Sequence, residues 1–109
     1  MAETATIDTT RACIDQCLRN YETCLEGVRT CTSRGKPIDP QDLQMMLTCA
    51  EMCRACAAIM LIGAPVQGIV CRACRDICRQ CVAVCGRLGL DACRENCRIC
   101  TDCCNAMAT

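Results

Sequence analysis

The segment that decides the fold reads Cys71-Arg72-Ala73-Cys74-Arg75-Asp76-Ile77-Cys78-Arg79-Gln80-Cys81-Val82-Ala83-Val84-Cys85. Its cysteines recur every three or four residues, and this spacing places them on one face of an α-helix. A neighbouring face carries the apolar side chains Val70, Ile77, Val84 and Leu88. The arginines lie off the cysteine face. The segment therefore predicts a helix with a sulfur stripe, meaning a line of cysteines along one face.

Three further segments show the same spacing. In the first, the stripe has gaps at Asn20 and Gly27, and a separate apolar line runs beside it through Ile14, Leu18, Tyr21, Leu25 and Val28. In the second, Met45 and Met60 extend the stripe by one turn at each end, and Leu47 and Leu61 belong to the flanking apolar line. The candidate metal ligands are all 17 cysteines: Cys13, Cys17, Cys24, Cys31, Cys49, Cys53, Cys56, Cys71, Cys74, Cys78, Cys81, Cys85, Cys93, Cys97, Cys100, Cys103 and Cys104.

Turn-forming residues separate the four segments. Asp39 is a good N-cap with Pro40 after it, Gly63 suits a helix end before Pro65, and Asp91 is the expected cap of the last helix. We predict helices at 9–33, 40–62, 65–87 and 91–107 within a single domain, 1–109. Short connections make consecutive helices antiparallel. The predicted fold is therefore all-α: an up-down-up-down four-helix bundle with a cysteine-lined core. Because each helix has two apolar stripes, some hydrocarbon stripes are expected to pack between helices or against another subunit.

The cysteines are expected to be reduced. Their number is odd, so disulfides could not pair them all. Cβ atoms four residues apart on a helix are roughly 5–6 Å apart, whereas a disulfide needs about 3.5–4.5 Å. The first residues contain neither a basic region nor an apolar run, which predicts no signal peptide. Reduced thiols are typical of the cytoplasm, and we expect the protein there.

Other classes of partner find little support in the composition. The chain has twelve basic and twelve acidic residues, which argues against binding to nucleic acid or an anionic membrane. The longest candidate for a membrane span, residues 55–66, is interrupted by Gly63 and Pro65. No general base or substrate pocket can be named, so the chain is not expected to be an enzyme.

The thiols point to a soft metal ion. Six Cys-x-x-x-Cys pairs are present: 13/17, 49/53, 74/78, 81/85, 93/97 and 100/104. Thiolates select Cu(I), Zn(II) or Fe–S clusters. A zinc site with four thiolates carries two negative charges, and a file of such sites would be costly to bury. Cu(I) with one thiolate per ion leaves the core neutral, so multiple Cu(I) ions fit best.

Two alternatives to copper remain open. The run Cys97-x-x-Cys100-x-x-Cys103-Cys104 is similar to part of a bacterial ferredoxin motif, which would indicate an Fe–S electron-transfer protein. A zinc-buffering thiol protein is the other alternative. Met45 and Met46 are also ambiguous. Antiparallel packing places them near Cys31, Cys85 and Cys93, where they either bind Cu(I) loosely or plug the end of the core.

Four cysteine-rich helices, repeated Cys-x-x-x-Cys pairs and methionines at the start of the second helix occur together over the whole chain. In these features the chain resembles the bacterial copper storage proteins, and it is most similar to their cytosolic branch. The resemblance implies storage of many Cu(I) ions in each bundle, association of bundles into homotetramers, the paired cysteines as ligands, and Met45 and Met46 at an open end. Copper would pass to other thiols or chelators. The chain lacks the histidine that some relatives are expected to carry near that end.

Overall fold

Four α-helices follow one another in the computed structural model, which describes the backbone of residues 2–108 and the side chains of residues 9–108. They are α1 (Ala2–Ser33), α2 (Pro40–Ile62), α3 (Gln67–Arg87) and α4 (Asp91–Met107). Within this range there is no β-strand. The prediction of an all-α four-helix bundle is confirmed.

The helices form an antiparallel ring. Each packs against the helices before and after it in the chain, and α1 also packs against α4. The register follows from the thiols: the Sγ atom of Cys13 lies 3.0 Å from that of Cys103, and the Sγ atom of Cys24 lies 3.8 Å from that of Cys93. Residue numbers thus rise along α1 as they fall along α4, which is the up-and-down arrangement that short loops produce.

The ends of α2 are capped as the sequence predicts. The Asp39 carboxylate accepts a hydrogen bond of 2.8 Å from the backbone N–H of Gln41. At the other end, Gly63 has a φ of 72°, and its N–H donates to the carbonyls of Ile59 and Met60. Glycine adopts this left-handed conformation without the steric cost that a side chain brings. These caps satisfy backbone groups that would otherwise have no partner in the helix.

Two predicted helix starts were wrong, and so was the predicted cap of α4, although the bounds of α4 match the prediction. Helix α1 begins at Ala2 rather than at residue 9, since no helix breaker lies between them. Helix α3 begins at Gln67 rather than at Pro65, because the chain first makes a turn in which the Gln67 N–H donates to the Ala64 carbonyl. The N-cap of α4 is Leu90, and Asp91 is the first helical residue, where its charge still favours the positive end of the helix dipole.

The core is lined with sulfur. Sixteen of the 17 cysteines are buried, and Cys103 is half-buried. The predicted apolar line of α1 does not form a second buried surface, because only some of its side chains are buried. Ile14 is buried, but Leu18 and Leu25 are 39% and 37% exposed. The thiols therefore occupy the bundle axis, and much of the hydrocarbon lies outside it.

Helix α2 is long and apolar enough to cross a membrane by length and composition alone. This differs from the expectation that no segment reaches that length. Cysteine and methionine count as apolar on a hydropathy scale, so the sulfur stripe itself raises the mean hydropathy of α2. Its residues Cys49, Cys53 and Cys56 are fully buried in the bundle. A core helix passes the same test, and packing in this core accounts for part of the apolar character of α2, while Leu47, Leu61 and Ile62 are exposed.

Candidate metal centre

The shortest contacts between thiols join different helices. The Sγ atoms of Cys85 and Cys93 are 2.8 Å apart, and those of Cys53 and Cys78 are 3.5 Å apart. Pairs on a single helix are wider: the Sγ separation of Cys74 and Cys78 is 3.8 Å. All 17 cysteines are free thiols. Because the stripes face one another across the axis, many thiols have neighbours on other helices, and some can act as shared ligands.

Five sets of thiols lie close enough to hold a metal ion, with all sulfurs of a set within 4.8 Å of one another. The third set takes one cysteine from each of the four helices, so it exists only in the folded bundle. The five sets are Cys13, Cys17, Cys103 and Cys104; Cys17, Cys74, Cys100 and Cys104; Cys24, Cys49, Cys81 and Cys97; Cys53, Cys74, Cys78 and Cys100; and Cys85, Cys93 and Cys97.

Several cysteines belong to two sets at once. They are Cys17, Cys74, Cys97, Cys100 and Cys104. Sites that share ligands cannot all be closed, independent four-thiolate sites, because each such site needs four ligands of its own. Ions that occupied neighbouring sets would be joined by bridging sulfurs. The arrangement therefore favours metal clusters over isolated ions.

The sulfur distances alone do not choose the metal. A tetrahedral zinc ion with Zn–S bonds of about 2.3 Å places its sulfurs about 3.8 Å apart, and many separations in this core are close to that value. The charge of the surroundings is more informative. Among residues 9–108, Asn20 is the one buried polar side chain, and no lysine or arginine is buried. Negative charge on the thiolates must therefore be balanced by the metal ions themselves.

The thiols differ in acidity. Burial, as the largest cause, raises the pKa of Cys71 above its ordinary value of 9.0. Hydrogen bonds with neighbouring thiols, foremost Cys24, lower the pKa of Cys93 to about 5. A bond with Cys100 is the main cause that lowers the pKa of Cys104 to about 6. A thiolate is the form that binds metal, so a thiol whose pKa is raised, such as Cys71, must lose its proton before it binds.

Four of the six predicted Cys-x-x-x-Cys pairs lie within one set of thiols, and two do not. The pairs 13/17, 74/78, 93/97 and 100/104 each fall within one set, but 49/53 and 81/85 do not. Cys31, Cys56 and Cys71 belong to none of the five sets, although the sulfurs of Cys56 and Cys71 are 3.8 Å apart. Neighbours on other helices decide which thiols cluster, and spacing along one helix does not contain that information.

The two methionines occupy different environments. Met46 is buried and continues the sulfur stripe of α2, whereas Met45 is half-buried and lines a groove with Asp42 and Arg87. The prediction that Met45 extends the stripe was wrong. Met45, Cys49 and Cys53 are spaced by four and four residues, and a repeated step of four moves progressively around a helix. Met46, Cys49 and Cys53 are spaced by three and four residues, and alternating steps of three and four stay on one face. Met60 extends the other end of the stripe, as expected.

Asn20 is the residue whose role the sequence did not reveal. It was noted there only as a gap in the sulfur stripe, yet its side chain is fully buried among thiols. Its Nδ2 atom lies 3.3 Å from the Sγ atom of Cys53, and its Oδ1 atom lies 3.4 Å from that of Cys97. The available signal was its position, three residues after Cys17 and four before Cys24, where a core side chain is required.

A family model described as copper storage protein matches residues 2–109. The chain belongs to this family. The solved structures also include a similar fold, the crystal structure of the Nmul_A1745 protein from Nitrosospira multiformis. That chain is 33% identical to this one, and the two superpose with a TM-score of 0.87 over 93% of this chain and 95% of the other. None of the curated proteins compared with the chain is significantly similar to it.

Proposed function

We propose that this protein stores multiple Cu(I) ions as thiolate clusters inside the bundle and has no catalytic activity. The observation that carries the proposal is a thiol core in which several cysteines belong to two sets and, among residues 9–108, no lysine or arginine is buried. Membership of the copper storage protein family supports the same metal. Cu(I) is a soft ion that thiolates bind strongly. One positive charge per thiolate keeps the core neutral, so many ions can lie side by side.

Zinc fits this core less well. Each four-thiolate zinc site has two net negative charges, and with no buried lysine or arginine among residues 9–108 a row of such sites lacks compensation. An Fe–S cluster on Cys97, Cys100, Cys103 and Cys104 also finds little support. These four residues lie on one continuous helix, and none of the five sets contains all of them. Both metals remain as outcomes of the experiment below.

The proposed mechanism is ligand exchange. An incoming Cu(I) ion displaces protons from two or three thiols, and shared cysteines such as Cys100 and Cys97 let it pass from one set to the next. Release follows the same route to copper-accepting thiols or small chelators. A reducing compartment is needed to keep so many neighbouring thiols free, which supports a cytoplasmic location.

We also propose that the bundles associate with one another, as tetramers. Leu18 and Leu25 on α1 and Leu47 on α2 are 37–41% exposed. A contiguous patch of exposed apolar side chains is typical of an interaction surface, and these leucines are candidates for one. Self-association would cover the hydrocarbon stripes that the thiol core leaves outside.

The test is a titration of the reduced apoprotein with Cu(I) and, separately, with Zn(II), each in the presence of a competing chelator and without oxygen. Saturation near one copper per cysteine supports storage. Saturation at about one zinc per four thiols, with copper binding no greater, would contradict it. Visible absorption after reconstitution with iron and sulfide would favour the Fe–S alternative, because Cu(I)–thiolate clusters do not absorb there.

A further inference from the structure

One cysteine differs from the other sixteen in its exposure. Cys103 on α4 is half-buried, whereas every other cysteine is buried. It precedes Cys104 of the buried stripe and lies at the edge of that stripe, where α4 packs against α1. Its Sγ atom is 3.0 Å from that of Cys13 on α1. A thiol that is partly exposed and also contacts a buried thiol connects the core with the surrounding solution.

Close sulfurs lead from Cys103 into the interior. Cys103 belongs to one of the five sets of thiols, and that set shares Cys17 and Cys104 with the next one. The Sγ atom of Cys17 lies 3.7 Å from that of Cys100, which lies 3.9 Å from that of Cys53. These steps are within the 4.8 Å that limits the separations inside each set. A Cu(I) ion can therefore move from the middle of the core to Cys103 by exchanging one thiolate at a time.

The thiols at the opposite end of the core are covered. A groove of about 240 Å³ between α1 and α4 is lined in part by Cys93. Cys93 is nevertheless 2% exposed, and the side chains of Met46 and Leu90 fill the space beside it at Gly27. Cys31, on the last turn of α1, is buried as well. The resemblance to copper storage proteins implies an open end here, but the most accessible thiol of this chain lies at the other end.

A second soft donor lies next to Cys103. Met107 follows it by one turn of α4 and is half-buried, and side chains four residues apart share a helix face. The Sδ atom of Met107 is 4.0 Å from the Oγ1 atom of Thr10 on α1, so this side chain lies at the same boundary between α1 and α4. A thioether is a soft ligand for Cu(I), and it carries no charge. A thioether beside a thiol suits a site that passes copper on.

We propose that Cys103, together with Met107, is the site at which Cu(I) passes from the core to small external thiols. The proposal rests on the proposed function, since it concerns the release of the same copper ions. Two external thiols replace Cys13 and Cys103 as ligands, one after the other. In each exchange a new copper–sulfur bond forms, a copper–cysteine bond breaks, and the proton of the external thiol goes to the cysteine. Copper remains Cu(I), so the exchange needs neither an oxidant nor a reductant.

The experiment measures transfer of copper to glutathione. Each protein is loaded with the same amount of Cu(I), below saturation and without oxygen, and gel filtration records the copper that has left it over time. Cys103→Ser should slow transfer about tenfold, which corresponds to ~1.4 kcal/mol in activation free energy, because a hydroxyl group is a poor ligand for Cu(I). Met107→Leu should slow transfer less. Ile99→Ser is the matched control, since Ile99 is exposed one turn before Cys103, and should leave the rate unchanged.

Cys93→Ser tests the competing route at the other end of the core. If transfer is slowed by Cys93→Ser and not by Cys103→Ser, copper leaves at that end and the proposal is wrong. An unchanged rate in Cys103→Ser contradicts it equally. Circular dichroism of each apoprotein checks the fold. A second measurement needs no variant: limiting iodoacetamide should alkylate Cys103 of the unsubstituted apoprotein first, and first modification at any other cysteine would overturn the proposal. A protein that binds no Cu(I) would instead contradict the proposed function.

Discussion

The methyl carbon of Met46 lies 2.8 Å from the point where a Cβ atom on Gly27 would be. Leu90 also approaches this point, with its Cδ1 atom at 3.3 Å. Gly27 is a gap in the sulfur stripe of α1, and the side chain of Met46 from α2 fills it. The absence of a side chain on one helix is therefore matched by a long, flexible side chain on its neighbour, close to Cys93.

This contact predicts that Gly27 and Met46 are energetically coupled. Gly27→Ala alone should change the free energy of unfolding little, because a gain in helix propensity of about 1 kcal/mol is offset by displacement of the Met46 methyl group. In a Met46→Ala background the same substitution should stabilise the helix. Urea unfolding of the four apoproteins forms a double-mutant cycle, with an expected coupling of about 0.5–3 kcal/mol. Additive effects would show that the two side chains do not meet.

Replacing Cys78 and Cys81 with serine should lower copper capacity by about two ions while the apoprotein remains helical. The two residues lie in different sets, so each substitution removes a candidate ligand from a different set. A hydroxyl group is a poor ligand for Cu(I). Capacity is measured by chelator competition. The matched control is Ala73→Ser with Ala83→Ser, both exposed on α3. Unchanged capacity in the cysteine variant would place the copper elsewhere.

Copper binding should release protons. Burial keeps the pKa of Cys71 above its ordinary value of 9.0, and a hydrogen bond with Cys81 is the main cause that raises the pKa of Cys85. Such thiols are protonated at neutral pH and must lose a proton to bind. Affinity should therefore fall as pH falls, by about tenfold per pH unit for each proton displaced. A pH-stat titration counts the protons; release of none would contradict binding by thiols of raised pKa such as Cys71 and Cys85.

Leu18→Glu and Leu47→Glu should weaken self-association of the bundles. Both leucines are exposed, at 39% and 41%, and belong to apolar lines outside the thiol core. A glutamate buried in the interface between two bundles would lose its hydration without gaining an opposite charge or a hydrogen bond in return. Sedimentation velocity measures the effect on the apoprotein. Ile99→Glu, on the exposed side of α4 at 40%, serves as the control for a charge added elsewhere. A monomeric unsubstituted protein would contradict the proposed tetramer.

Much of the fold could be predicted from periodicity. The spacing of Cys71, Cys74 and Cys78 indicates both the helix and its buried face, and the Asp39 cap and Gly63 end of α2 follow from local backbone chemistry. The start of α3 and the cap of α4 were missed, since a proline or an aspartate near a helix start fits more than one position. Met45 was assigned to the wrong face because Met45 and Met46 are adjacent, and both positions lie within one helical turn of Cys49.

Spacing and donor type along the chain were enough to predict four helices that each carry thiols on one face, and thiols as the candidate metal ligands, because both properties are local to each segment. The tertiary structure alone decided which thiols meet, since the closest sulfurs, such as those of Cys85 and Cys93, belong to different helices. It also placed Asn20 in the middle of the thiol core, in contact with cysteines of all four helices. That position depends on the register of all four helices at once, and no single segment of the chain specifies it.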